Sequence, residues 1–199
     1  MQYSPRTRLS VAALIVCLGG LTAGETVAVS GSNARFATGI EVQAAGKPVW
    51  LRLTGTAMRK KAIFNVYAMA SYLQDGVAAK SADQLAAANG VKMLHLVMER
   101  DVSGRDMADA IQAGVRLNHP ANAFAVELKK VADILAALDL RKGDQVMLTA
   151  IPQIGLRCQV VGKTDATIEN PAFARAIWDI YLGRQNLGES VKAGLASRL

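Results

Sequence analysis

Between Leu53 and Leu73 the chain reads Leu-Thr-Gly-Thr-Ala-Met-Arg-Lys-Lys-Ala-Ile-Phe-Asn-Val-Tyr-Ala-Met-Ala-Ser-Tyr-Leu, an apolar, β-forming stretch that holds Arg59 and Tyr67. If Arg59 turns inward while Lys60 and Lys61 face water, its guanidinium needs an anion or acceptor, because an unpaired buried charge is too costly to keep. Arg59 with Tyr67 could hold a carboxylate or another oxyanion through charge-assisted hydrogen bonds. A solvated basic corner formed by Arg59, Lys60 and Lys61 is the structural alternative.

The sequence has no phosphate-cradling glycine loop, no paired histidines at metal-ligand spacing and no Gly-x-Ser-x-Gly elbow. His95, inside the alternating stretch Met93 to Met98, is a candidate ligand for a metal or haem iron, although a lone strand histidine also suits packing. His119, just before Pro120, falls at a helix end, where the helix dipole favours it. Met58, Met69, Met93, Met98, Met107 and Met147 could line an adaptable apolar pocket or simply fill a core.

The elements that must position these groups have clear signals. Ile40 and Val42 alternate with polar neighbours, Ala45-Gly46-Lys47-Pro48 makes a turn, and Val49, Leu51 and Leu53 alternate with Trp50, Arg52 and Thr54, which predicts a β-hairpin. Gly55 marks a bulge or a close backbone approach, and a strand from Ile63 to Leu73 places Ile63, Asn65, Tyr67, Met69 and Ser71 on one face. Ser81 with Gln84 at the capping-box position starts a short helix that Gly90 ends, and Met93 to Met98 follows as a strand. Ser103 caps a helix to about Leu117 with Met107, Ile111 and Gly114 or Val115 inward, and another helix runs from Asn122 to Leu138. Val146 to Ile151 and Leu156 to Val161 form a second antiparallel pair. Asn170-Pro171 starts a helix that stops at Gly183, and a last helix spans about Gly188 to Arg198. Hairpins with grouped helices give an α+β domain, an antiparallel sheet covered by helices.

The 199 residues, 51% hydrophobic and 20% charged, suffice for one domain with a sizeable core and exclude a disordered chain. Arg6 and Arg8 before the short apolar run Leu9 to Leu18, then small residues to Gly24, read as an export signal over residues 1–24, with an uncleaved anchor as the alternative. Bulky Val16 argues against lipidation of Cys17. Residues 25–37 read as a flexible leader and 38–199 as the domain of a periplasmic or secreted protein. Without residues 1–24, 21 basic residues stand against 16 acidic ones, a net charge of +5. That excess is spread along the chain and aromatics are only 5%, so nucleic acid is not an expected partner; weak contact with a membrane surface and affinity for small anions fit better. Cys158 is then the only cysteine, which rules out an internal disulfide and a CxxC site.

Gly55-Thr56-Ala57-Met58-Arg59-Lys60-Lys61 running into Phe64-Asn65-Val66-Tyr67 and Tyr72-Leu73, then Arg100-Asp101-Val102-Ser103, then Asn170-Pro171-Ala172-Phe173 and Tyr181-Leu182-Gly183, resembles the bacterial chalcone isomerase-like family, over about residues 40–199. The resemblance implies that family's open-faced β-sandwich, a large antiparallel sheet covered by a helical layer with a ligand cleft between them. It also implies two functional branches: plant isomerases that close a chalcone to a flavanone, and non-catalytic members, some resembling fatty-acid binders.

In the isomerases the arginine matched by Arg59 polarises the substrate carbonyl. The active-site threonine falls at Tyr67, the tyrosine at Met107, the asparagine at Gly114 and a second polar contact at Ile180. Loss of those hydroxyl and amide groups removes the oxyanion-positioning set. An arginine with a tyrosine at this place looks instead like the carboxylate clamp of the fatty-acid-binding members. The expectation is therefore a binding protein for a small amphiphilic carboxylate, with Arg59 and Tyr67 at the head group and Met69, Met107, Gly114, Val115 and Ile180 around the tail. Three alternatives stand beside it: an intramolecular lyase using Arg59 as electrophile, a haem-binding protein with His95 as a candidate ligand, and a structural domain with a collapsed cleft.

Overall fold

A computed structural model describes residues 25–199, so the segment read as an export signal lies outside the described residues. Residues 25–37 are not the flexible leader expected from their small polar composition. They form a hairpin of β1 (Thr26–Ala28) and β2 (Arg35–Ala37), with Gly31-Ser32-Asn33 in its turn. Phe36 is fully buried, and the Tyr72 hydroxyl donates to the Ala37 carbonyl at 3.0 Å. Phe36, with the buried Val29, thus fixes a segment whose average composition suggests mobility.

The strands β3 (Gly39–Ala44), β4 (Lys47–Lys61), β5 (Phe64–Gln74) and β6 (Lys92–Met98) are followed by a short pair, β7 (Val102–Ser103) and β8 (Asp139–Leu140), and then by β9 (Gln145–Ile151), β10 (Gly155–Val160) and β11 (Thr164–Ile168). Seven of them make one antiparallel sheet in the order β11-β10-β9-β6-β5-β4-β3. The sequence pattern shows all of these except the short pair and β11. Thr164-Asp165-Ala166-Thr167 offers no apolar alternation because this edge strand buries only Ile168.

Gly55 is both things the sequence suggested. Thr54 and Gly55 together oppose Ser71, so β4 carries a bulge, and a Cβ on Gly55 would stand 2.1 Å from the Gly194 carbonyl oxygen. The extra residue exchanges the two faces of the strand. Before it, Leu51 and Leu53 join the core under the hairpin; after it, Ala57 joins the core under the helices. Arg59 is therefore delivered to the helical side, directly across from Tyr67.

The helices α1 (Ala82–Ala87), α2 (Gly104–Arg116), α3 (Ala125–Ala136), α4 (Pro171–Leu182) and α5 (Glu189–Leu195) pack on that side. Ser103 caps α2 by accepting from the Asp106 N–H at 3.1 Å; Asn170 caps α4 by accepting from Ala172 and Phe173. Some ends differ from expectation: α3 starts later, behind Phe124 in a left-handed conformation (φ 56°), and stops at Ala136, α1 stops at Ala87, short of Gly90, and α5 stops at Leu195, short of Arg198. Thr54 and Ser71 hydroxyls both donate to the Leu195 carbonyl, which ties α5 to the sheet. Among the described residues no helix is long and apolar enough to cross a membrane.

Lys92, at the start of β6, is buried on the helical side. Its ammonium donates to the Ala86 carbonyl at 2.6 Å at the end of α1 and stands 5.0 Å from the centre of the Trp178 ring. Burial, with repulsion from Arg175 and against attraction from Asp179, lowers its pKa to about 8. The unfolded lysine titrates near 10.4, so the folded state bears the buried charge below pH 8 and loses that cost as the pH rises. Cys158 acts oppositely: burial pushes its thiol up to about 11, so the stability it lends fades once the unfolded thiol ionises. Tyr67, Tyr72 and Tyr181, all raised by burial, add a further loss above roughly pH 10. Urea unfolding should therefore show a gain of about 1 kcal/mol between pH 7 and pH 9 and a decline beyond. Lys92→Met should remove the gain; a rise that survives that substitution would assign it to another group.

Candidate functional site

A cavity of about 260 Å³ lies between the sheet and the helices, open at one end. β4 contributes Arg59 and Lys61, β5 contributes Val66 and Tyr67, and Arg100 with Val102 enters from the segment after β6. Met107, Ala110, Ile111 and Gly114 of α2 form one apolar wall, facing Ile180 and Tyr181 of α4 and Leu187 beyond it. Arg59 reaches the cavity because of the bulge at Gly55. A second bulge, where Val66 is the extra residue before the Lys60–Asn65 pair, brings Val66 to the same space beside Tyr67.

The cavity is cationic at one end and apolar elsewhere. Arg59, Lys61 and Arg100 contribute three positive charges against the single acid, Asp106, whose carboxylate accepts from the Ser103 hydroxyl at 2.7 Å. Arg59 forms no ion pair among the described residues; its Nη1 donates to the Lys60 carbonyl at 2.5 Å and the Leu187 carbonyl at 3.3 Å. Two weakly basic carbonyls leave the guanidinium with donors for a guest.

Tyr67 and Tyr181 are both buried, their hydroxyl oxygens 3.1 Å apart. Burial raises the Tyr67 phenol, opposed by the bond with Tyr181 and by the charge of Arg59. It drives Tyr181 higher still, because the adjoining Tyr67 disfavours a phenolate there. Both therefore remain protonated at neutral pH. One hydrogen occupies the bond between them, and the other is available to an acceptor in the cavity.

Arg59, Tyr67, Met107, Gly114 and Ile180 of the expected site residues meet around this cavity. Met69 and Val115 do not. They share the correct faces, but both are fully buried in the layer behind the wall and belong to the core. His95 lies on the opposite face of the sheet from the cavity, where its ring packs edge-on against Phe36 and its Nε2 bonds with Gln145 at 2.8 Å. It cannot serve a ligand held there. His119 sits 3.7 Å from Asp179, near the end of α2, as its place at a helix end suggested.

Tyr181, Lys61 and Arg100 are the residues that sequence reasoning missed at the site. Tyr181 had a signal, since it follows Ile180 and lies four residues beyond Ile177 on the inward stripe of α4. Arg100 had none, because a charged residue in a connecting segment reads as solvated.

The sequence matches the profile of a family described as chalcone isomerase-like over residues 32–196. No curated protein matches it. Among solved structures, the chain is similar to an Arabidopsis thaliana fatty-acid binding protein, with a TM-score of 0.69 at 18% identity, over 86% of this chain and 96% of that one. At that identity the likeness concerns the fold, and the large antiparallel sheet with helices layered over one face agrees with it.

Proposed function

We propose that this chain, which belongs to the chalcone isomerase-like family, is a non-catalytic binding protein for a small amphiphilic carboxylate of the fatty-acid type. Arg59 would neutralise the head group and Tyr67, with Tyr181 behind it, would donate a second hydrogen bond. The observation that carries this reading is Arg59 placed directly across from Tyr67 at the cationic end of an apolar cavity, with no ion pair to it among the described residues. Met107, Ile111, Gly114 and Ile180 offer no hydrogen-bonding side chain, so the wall suits a hydrocarbon tail. The fatty-acid binding protein of similar fold adds support of the same kind.

The volume bounds the guest. At about 260 Å³ the cavity falls just below the range of roughly 300–1,000 Å³ typical of small-molecule sites. It fits a short amphiphile, or the head and first carbons of a longer one. The lyase alternative retains only the arginine electrophile. At Met107, Gly114 and Ile180 no side chain could position an oxyanion or a water, and preorganised donors of that kind supply much of an enzyme's rate enhancement. Export through residues 1–24 would place the binder in the periplasm or outside the cell.

The test is native mass spectrometry with an absorption spectrum on residues 25–199, purified without added ligand and then titrated with fatty acids of increasing length. A one-to-one adduct of fatty-acid mass is expected, in a colourless protein. A Soret band would replace the carboxylate by haem, and turnover of a chalcone that Arg59→Ala abolishes would establish an enzyme.

A further inference from the structure

The β4–β5 arm ends in the oddest surface of the molecule. Beyond the Arg59–Tyr67 pair the two strands bond only to each other as strands, through Lys60 with Asn65 and Lys61 with Phe64, because β6 pairs with β5 only from Tyr67 onward and β3 pairs with β4 only as far as Arg52. A two-residue turn, Ala62 in a left-handed conformation (φ 53°) and Ile63, closes the arm. Ile63 is 85% exposed and Phe64 59% exposed. Lys60 and Lys61 flank them, both exposed.

A projecting tip with two adjacent large apolar side chains beside two lysines has no use for either feature in plain water. Apolar side chains on a two-residue turn are not needed for the hairpin geometry, and the core does not use them. Neither Lys60 nor Lys61 forms an ion pair among the described residues. The tip therefore presents uncompensated positive charge around an apolar point.

We infer that this tip, Lys60-Lys61-Ala62-Ile63-Phe64, docks the protein on an anionic lipid surface, with Ile63 and Phe64 entering the interface and the lysines meeting the head groups. Charge complementarity selects that partner over a second copy of the chain, whose tip would carry the same positive charge. The geometry gives the docking a purpose. Arg59 and Lys61, which line the cavity, belong to the same arm, so a tip seated in the interface brings the open cationic end of the cavity within one or two residues of the lipid. Docking goes beyond the proposed carboxylate binding and does not rest on it, since it is read with no carboxylate present.

The test is flotation of residues 25–199, which hold every described element and both core clusters, with vesicles of phosphatidylcholine alone or with 30% phosphatidylglycerol. Binding to the anionic vesicles, weakened by salt and lost on pure phosphatidylcholine, is expected. The double substitution Ile63→Ser with Phe64→Ser should abolish it, and Lys60→Gln should weaken it about fivefold, the effect of one basic residue near such a surface. These positions are exposed, so the variants should melt like the parent. An environment-sensitive dye on Ile63→Cys, read against buried Cys158, should shift to the blue on anionic vesicles only. No flotation, flotation that survives the double substitution, or a dye shift that follows protein concentration without lipid, as self-association would give, overturns the inference.

Discussion

Arg59→Ala should weaken fatty-acid binding by about 10- to 150-fold, measured by calorimetry or fluorescence displacement. The estimate follows from one charge-assisted hydrogen bond, worth roughly 1.5–3 kcal/mol when its donor is removed. The fold should hardly notice the loss, because in the empty protein the Arg59 guanidinium bonds, among the described residues, only to the Lys60 and Leu187 carbonyls. Arg59→Lys should recover part of the affinity, since it keeps the charge but gives up the planar fork that matches a carboxylate. An affinity for Arg59→Ala within twofold of the parent would remove the head-group role and leave the cavity as a purely apolar site.

Gly104→Ala should be the most damaging single methyl in the protein. A Cβ there would lie 1.7 Å from the Leu135 carbonyl oxygen and 2.5 Å from that of Leu138. Both are backbone atoms at the end of α3, and the Gly104 N–H already donates to the Leu138 carbonyl at 2.9 Å. Neither partner can turn aside, so α2 would have to move away from α3, and the cavity wall formed by Met107, Ala110 and Gly114 would move with it. Overpacking commonly costs about 1–3 kcal/mol; a rigid clash of this depth should exceed that, at about 4 kcal/mol or more. For a domain of this size the melting temperature would fall by about 10 °C. At Gly114 a Cβ would meet the Ile180 side chain, at 2.7 Å from Cγ2, so the obstacle there is a side chain rather than backbone. A Gly104→Ala variant that melts within 2 °C of the parent would show that the helix pair is far more plastic than its packing implies.

The fold was legible where apolar residues carry a period and where caps announce helix ends. Leu51, Leu53 and the stripe of α4 with its Asn170-Pro171 start are of that kind. It was illegible where one or two buried side chains decide. Phe36 and Val29 hold residues 25–37 in a hairpin, and β11 buries Ile168 and little else, so neither segment has a pattern to read.

The site divided along the same line. Arg59 and Tyr67 stood out because a cation and a phenol in an apolar stretch demand an explanation. Met69 and Val115 show the limit of that reasoning, since a shared face says which way a side chain points but not how many layers stand between it and an empty space. Tyr181 comes from a helix more than a hundred residues later, and only the packing of α4 over β5 brings its hydroxyl to that of Tyr67.

The bulge at Gly55 makes the chemistry of the cavity depend on a count rather than on an identity. Deleting one residue between Leu53 and Arg59 would leave the arginine and its neighbours in the sequence yet turn the guanidinium toward the Phe36 side of the sheet, where nothing is built to receive it. Among relatives of this chain, an arginine aligned with Arg59 therefore signifies a cavity cation only when the number of residues separating it from the preceding apolar pair is also kept.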